Sequence, residues 1–317
     1  MAKIVEVKNL KKYFKSPRGT VHAVDDVTFS IEKGKTMGIV GESGCGKSTL
    51  GRMLVHLGES TSGQIIFDGE DVTQLSGKDM KKFHEHSQMI FQDPYSSLDP
   101  RYTVEDSVME SLLLSGRYKR EQAREKTREL MDLVGIAPRL RLAYPHELDG
   151  GRRQRVGIAR ALALDPEFVV CDEPVSALDV SIQAQILNLL KELQIKNNLT
   201  YMFITHDLSV VKHISDDICV MYLGQLVETS PSGELFKKQY HPYTKALLSA
   251  IPSTDIDNKM KRIVLKGEIT SPIDPKPGCR FAARCPYACE RCYEPQKLQE
   301  VSPNHFVSCC RVEEING

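Results

Sequence analysis

The chain has 317 residues, with 42 basic and 42 acidic side chains and a pI near 7.1. It therefore lacks the basic excess that is typical of nucleic-acid-binding surfaces, and we expect no nucleic-acid partner. No apolar run approaches the roughly 18–20 residues that a membrane-spanning helix needs, and the first residues lack a signal-peptide core, so we expect a cytoplasmic protein.

The first 70 residues predict a small, partly antiparallel sheet. Apolar or alternating runs at 4–7 and 27–31 predict strands, and turn residues stand at 33–34 and 68–69. Further along, runs of the buried type alternate with helical segments, which predicts an α/β core with a parallel sheet. These runs are 37–40, 168–171 and 201–204, with a helix over 181–196.

Two other regions break this alternation. Residues 104–114, 120–134 and 151–164 have helical patterns, which predicts an all-helical insertion over about 100–164. Beyond about Pro252 the sequence becomes proline-rich and then cysteine-rich. We therefore expect a domain over 3–255 and a small C-terminal module over 256–317.

A glycine-rich segment carries the strongest chemical signal. Residues 41–49 fit the pattern G-x-x-x-x-G-K-[ST], between a buried strand and a helix. In such a P-loop the backbone N–H groups face phosphate oxygens, Lys47 reaches the β- and γ-phosphates, and Ser48 holds Mg²⁺. The predicted ATP-binding residues are Gly41, Ser43, Gly44, Cys45, Gly46, Lys47, Ser48 and Thr49.

Two carboxylates end the strand predicted at 168–171. A pair of carboxylates at a strand end is usually exposed to solvent and has no catalytic role. Beside a P-loop, however, it predicts a metal-dependent phosphoryl-transfer site. Asp172 would orient Mg²⁺ through its waters, and Glu173 would polarise the attacking water.

Together with Leu-Asp-Gly-Gly-Arg at 148–152, these motifs resemble the nucleotide-binding subunits of ATP-binding cassette (ABC) transporters over about 3–250. The resemblance implies a P-loop ATPase that uses ATP and Mg²⁺, and it implies the remaining roles. Tyr13 would stack on adenine, Gln92 would contact Mg²⁺ and the membrane subunits, Asp179 would lie in a dimer-contacting loop, and His206 would contact the γ-phosphate.

Residues 88–100 and 241–248 and the cysteine tail resemble the dipeptide/oligopeptide importer subfamily. That resemblance implies a second, non-identical ABC ATPase subunit, two transmembrane permease subunits and an extracellular solute-binding protein, with this chain on the cytoplasmic face of the membrane. Cargo stays open among peptides, nickel and oligosaccharides. The alternatives are a soluble ABC ATPase outside transport and a purely regulatory subunit.

The cysteine tail resembles the segment that ligates a [4Fe–4S] cluster in this subfamily. The implied ligands are Cys279, Cys285, Cys292 and Cys309, and four thiolates are what such a cluster requires. Cys289 and Cys310 fall outside this pattern. A zinc site, which the Cys289-x2-Cys292 spacing would suit, and unliganded thiols are the alternatives.

The signature at 148–152 departs from the family's usual Leu-Ser-Gly-Gly-Gln. In this family the signature, here Asp149, Gly150, Gly151 and Arg152, contacts ATP held by the partner's P-loop, so the change affects the shared site. Asp149 would lose a hydrogen bond to phosphate and add repulsion, which together weaken that site by roughly three to four orders of magnitude. Alternatively, Asp149 is simply the N-cap of the helix that follows.

Overall fold

A computed structural model describes residues 2–251, 262–265, 267–268 and 270–317 of the chain. Pro252 and the expected domain boundary at 255/256 lie outside these residues. Over the part that is described, no helix is both long and apolar enough to cross a membrane.

The N-terminal residues form the expected antiparallel sheet, in the order β2-β1-β4-β5. Its first two strands are much longer than the predicted 4–7 and 27–31. Register shifts interrupt their pairing at several places, and such bulges break the period-2 alternation on which the prediction depended. The strands are β1 (Lys3–Ser16), β2 (Gly19–Glu32), β4 (Ser62–Phe67) and β5 (Glu70–Asp71).

A second sheet of eight strands forms the centre of the molecule. Its parallel strands are buried on both faces, which is why they read as continuous apolar runs in the sequence. The strands are β3 (Thr36–Val40), β6 (Ser87–Ile90), β7 (Phe168–Asp172), β8 (Thr200–Thr205), β9 (Asp217–Tyr222), β10 (Gln225–Pro231), β11 (Gln299–Ser302) and β12 (His305–Val307).

The strand order is β11-β12-β10-β9-β3-β8-β7-β6. Five strands, from β6 to β9 in this order, are parallel, and β10, β12 and β11 extend the sheet by antiparallel pairing. Consecutive side chains of β8 enter separate cores: Phe203 packs with the helical insertion, whereas Ile204 packs with the antiparallel sheet. Because the sheet is packed on both faces, the positions of its strands are fixed. The positions of their carboxyl ends are therefore fixed as well.

The helical insertion is present as α3, α4 and α5. Thr103 and Asp149 cap the first and last of these through side-chain oxygens that accept backbone N–H bonds. The helices are α1 (Lys47–Leu54), α2 (Gly77–His86), α3 (Val104–Ser115), α4 (Arg120–Leu133), α5 (Gly150–Ala161), α6 (Val180–Asn197), α7 (Leu208–Ile214), α8 (Ser232–Lys237), α9 (Pro242–Ser249) and α10 (Val312–Asn316).

The cysteine-rich tail is joined to the larger domain by both sheet pairing and core packing. Strand β12 pairs with β10 through Val307 and Phe306. Phe281 is buried against Tyr222 and Tyr243, with ring centroids 5.3 and 5.4 Å away. The tail therefore shares a hydrophobic core with strands β3 and β9 and helix α9, which its proline-rich sequence did not predict.

Candidate functional site

The P-loop runs from the end of β3 to the start of α1. Gly46 has φ +105°, and a Cβ there would lie 1.9 Å from the backbone oxygen of Ala23. Only glycine fits this close approach, because a side chain would collide with β2. The loop residues 43–49 line one cavity together with Gln92, Glu173 and His206, which come from three other segments.

Lys47 is buried inside the loop, with 4% of its surface exposed. Its Nζ donates to the backbone oxygens of Gly41 at 2.8 Å and Glu42 at 3.0 Å. The ammonium is therefore held within the loop, the segment that binds phosphate in P-loop proteins.

Ser48 lines the cavity and contacts the buried Asp172. Ser48 Oγ donates to Asp172 Oδ1 over 2.7 Å. Burial raises the pKa of Asp172, and the bond from Ser48 opposes that rise. A hydroxyl and a buried carboxylate at this spacing fit Mg²⁺, whose charge favours the ionised carboxylate.

Glu173 lies at the end of β7 and holds the predicted catalytic residues together. Gln92 Nε2 donates to Glu173 Oε2 at 3.0 Å, and His206 Nδ1 lies 3.2 Å from Oε1. Glu173 has φ +45°, an uncommon conformation for a residue with a side chain and one that concentrates at functional sites. The backbone bond from Glu173 N to Ile204 O, 2.9 Å long, secures it to β8.

Tyr13 lies outside the wall of this cavity. Its ring stacks on His22, with centroids 4.0 Å apart, and its hydroxyl donates to Asp25. The neighbouring Phe14 is 46% exposed and pairs across the sheet with Val21, which lines the cavity. Tyr13 pairs in the same way with His22, which also lines the cavity, so the feature that distinguishes Phe14 is its exposed ring. The signal available in the sequence was that neighbouring residues of a strand, here 13 and 14, face opposite sides of the sheet.

The signature lies at the start of α5, away from the P-loop cavity. Asp149 Oδ1 accepts the backbone N–H of Arg152 at 2.8 Å, and Arg152 Nη1 lies 3.3 Å from Oδ2. Both side chains are about half exposed. A Cβ on Gly151 would lie 2.6 Å from Ile182, so this glycine lets α5 pack on α6, and the exposed Asp179 immediately precedes α6. The signature and Asp179 thus lie on neighbouring elements.

The tail cysteines gather around one small cavity. It is lined by the four predicted ligands Cys279, Cys285, Cys292 and Cys309, and also by Cys310. Cys289 lies outside it, yet its Sγ is 3.8 Å from that of Cys292, which in turn is 3.7 Å from that of Cys310. Two overlapping sets of thiols therefore share Cys292.

Comparison with known proteins places both halves of the chain in one family. Residues 24–176 match the family described as "ABC transporter", and residues 227–292 match "Oligopeptide/dipeptide transporter, C-terminal region". The oligopeptide transport ATP-binding protein AppF of Bacillus subtilis is 50% identical over 317 residues, covering 96% of each chain. OppF of the same organism is 50% identical over 313 residues, covering 98% of this chain and 97% of the relative.

Solved structures agree with this assignment. The ATP-binding cassette MJ0796 bound to ADP and Pi is 28% identical, with a TM-score of 0.67, over 72% of this chain and 99% of that chain. The structure of cbiO1 from Clostridium perfringens is also 28% identical, with a TM-score of 0.67. The match covers 75% of this chain and 92% of that chain. The predicted P-loop ABC fold and a transport-coupled ATPase activity are thereby confirmed. The chain belongs to the ABC transporter ATP-binding proteins, in the oligopeptide/dipeptide transporter group.

Proposed function

We propose that this chain is the ATP-hydrolysing subunit of an importer of di- or oligopeptides and works at the cytoplasmic face of the membrane. One observation carries the proposal: Lys47, Ser48 and Glu173 line a single cavity, and Ser48 is hydrogen-bonded to Asp172. The names of the relatives, which are oligopeptide transport ATP-binding proteins, support a peptide cargo rather than nickel or oligosaccharides. Two permease subunits and an extracellular binding protein would complete the transporter.

The residues of the cavity divide the chemistry among them. The P-loop N–H groups and Lys47 bind the phosphates, and Ser48 and Asp172 would hold Mg²⁺. Mg²⁺ supplies charge neutralisation on the phosphate oxygens. Glu173 accepts a hydrogen bond from the attacking water and orients it, while Gln92 and His206 fix both oxygens of that carboxylate.

We also propose that the transporter has two unequal ATP sites formed with a second, non-identical ATPase subunit. The site on this chain's P-loop has Glu173 and His206, whereas the other site receives the altered signature with Asp149. Changing Glu173 to Gln should then abolish peptide uptake in proteoliposomes that contain the whole transporter, and the equivalent change in the partner should reduce it much less.

Glu234 provides the matched control, because it is an exposed carboxylate on α8 that pairs with Lys237. Glu234→Gln should leave uptake unchanged. Equal losses from the two catalytic changes would contradict unequal sites, and uptake of oligosaccharide or nickel in place of peptide would contradict the cargo.

For the nucleotide base, we propose Phe14 as the stacking residue, with Tyr13 supporting it from behind. The exposed ring of Phe14 supports this role. The hydroxyl of Tyr13 is already engaged with Asp25, which in turn pairs with Arg280.

In the tail, we propose a [4Fe–4S] cluster on Cys279, Cys285, Cys292 and Cys309. Their common cavity supports this set, and burial raises the pKa of Cys279 to about 12, so a cationic centre would be needed to hold it as thiolate. The zinc alternative is supported by Cys289, Cys292 and Cys310, since sulfurs around tetrahedral zinc lie about 3.8 Å apart at a Zn–S distance of about 2.3 Å.

Protein purified without oxygen distinguishes these two centres. Iron with labile sulfide and a broad visible absorption is the expected result, and Cys309→Ser should remove it while Cys289→Ser should not. A colourless, zinc-loaded protein that loses its metal in Cys289→Ser would contradict the cluster.

A further inference from the structure

Two arginines of the cysteine-rich tail contact the nucleotide site: Arg284 contacts the P-loop, and Arg280 contacts the wall of the cavity. Arg280 and Arg284 follow Cys279 and precede Cys285, and their side chains are 5% and 9% exposed. A guanidinium that is so deeply buried needs anionic or carbonyl partners, because its charge is costly to remove from water. Both find those partners on the ATP-binding domain, not within the tail.

Arg284 holds Glu42, the second residue of the P-loop. Its Nη1 donates to Glu42 Oε2 at 2.8 Å and its Nη2 donates to Oε1 at 3.1 Å, so the pair is bidentate. The guanidinium also lies over the ring of Tyr222, 5.9 Å from the centroid. Such a paired and stacked geometry fixes both position and orientation of a carboxylate.

The backbone of Glu42 connects this contact to the phosphate site. Its N–H donates to Tyr243 Oη at 2.9 Å, and its carbonyl oxygen accepts from Lys47 Nζ at 3.0 Å. Glu42 is therefore held by the tail, by α9 and by the phosphate-binding lysine at once. A shift of its side chain would move the backbone that Lys47 contacts.

Arg280 makes a second connection, on the other side of the cavity. It forms an ion pair with Asp25 and donates to the backbone oxygen of Leu223, which lines the cavity. Pro272, also part of the wall, accepts the backbone N–H of His22 at 2.9 Å. The tail thus contributes to the wall itself.

We propose that Arg284 is a positioning residue for ATP binding, through which the cysteine-rich tail holds the P-loop in its phosphate-binding conformation. The contact with Arg284 orders the P-loop before nucleotide binds. Without it, part of the free energy of nucleotide binding is used to order Glu42 and its neighbours. Arg284 does not line the cavity, so it affects nucleotide affinity through Glu42 and leaves the chemical step to Glu173.

The test is a titration of the full-length chain with a fluorescent ATP analogue, together with steady-state ATPase kinetics of the whole transporter. Arg284→Gln should raise the Kd and the KM about tenfold, as loss of one charge-assisted bond predicts, while kcat changes less than about twofold. Arg284→Lys should recover little, because an ammonium cannot make the bidentate pair. The proposed function expects the unchanged chain to bind nucleotide in the same titration. When it does, an unchanged Kd in the variants contradicts the role of Arg284 and not ATP binding itself.

Arg291 is the matched control, since it belongs to the same tail but pairs with Glu314 on an exposed surface. Arg291→Gln should leave Kd, KM and kcat unchanged. Glu42→Gln tests the same contact from the P-loop side if Arg284→Gln folds poorly, and the double variant should be no worse than either single one. A Kd within twofold of the original in both single variants, strictly additive losses, or a fall in kcat with unchanged Kd would overturn the proposal.

Discussion

Asp149→Ser separates the two roles of the unusual signature residue. Asp149 caps α5 through the backbone N–H of Arg152, and serine is an equally good N-cap. The substitution should therefore change the free energy of unfolding by no more than about 0.5 kcal/mol, whereas Asp149→Ala should cost about 1 kcal/mol. Any larger functional effect of serine then comes from the ATP site and not from the helix.

The structure reduces the magnitude expected for that functional effect. Asp149 is about half exposed and its charge is partly balanced by Arg152, 3.3 Å away. Repulsion of phosphate by such a screened pair is worth roughly 0–1 kcal/mol, well below the figure for an isolated carboxylate. The missing hydroxyl donor, about 1.5–3 kcal/mol, dominates, so the penalty becomes about 10- to 100-fold instead of three to four orders of magnitude.

The assay isolates the affected site by silencing the other one. Whole transporter that carries Glu173→Gln should retain only the slow turnover of the site facing Asp149. Adding Asp149→Ser to that background should raise the remaining ATPase rate about 10- to 100-fold. The melting temperatures of the two proteins, compared by calorimetry, confirm that stability is unchanged.

An ATPase rate that is the same or lower in the double variant would refute this reasoning. Asp149 would then be a cap and nothing more, and the asymmetry between the sites would have no basis in this chain.

Three further predictions concern the cavity walls and the N-terminal domain. Phe14→Ala should weaken ATP binding about tenfold through lost stacking, and an unchanged Kd would return that role to Tyr13. Gly46→Ala should abolish ATP binding, because its Cβ would meet Ala23, whereas Gly58→Ala, with open space around it, should bind normally. Burial lowers the pKa of His56, so the unfolded chain binds more protons and stability should fall as the pH drops below about 6.5. His56→Asn, which suits the left-handed backbone there, should flatten that slope in urea unfolding at pH 7.5 and 5.5, and an unchanged slope would contradict it.

Much of the nucleotide site could be predicted because its chemical groups lie on residues that are contiguous in the sequence. The P-loop combines glycines, a lysine and a hydroxyl within nine positions, and β7 ends directly in Asp172 and Glu173. Buried parallel strands and amphipathic helices also have their own periodicities, which is why the α/β core and the helical insertion were predictable.

Tertiary structure decided the contacts between residues that are far apart in the chain. Gln92 and Glu173 are separated by 81 positions, and Glu42 and Arg284 by 242. It also decided that the hydroxyl of Tyr13 bonds to Asp25 while the ring of the neighbouring Phe14 is exposed. A single side-chain contact of this kind has no period and no spacing, so only the packing of the tail against the P-loop reveals it.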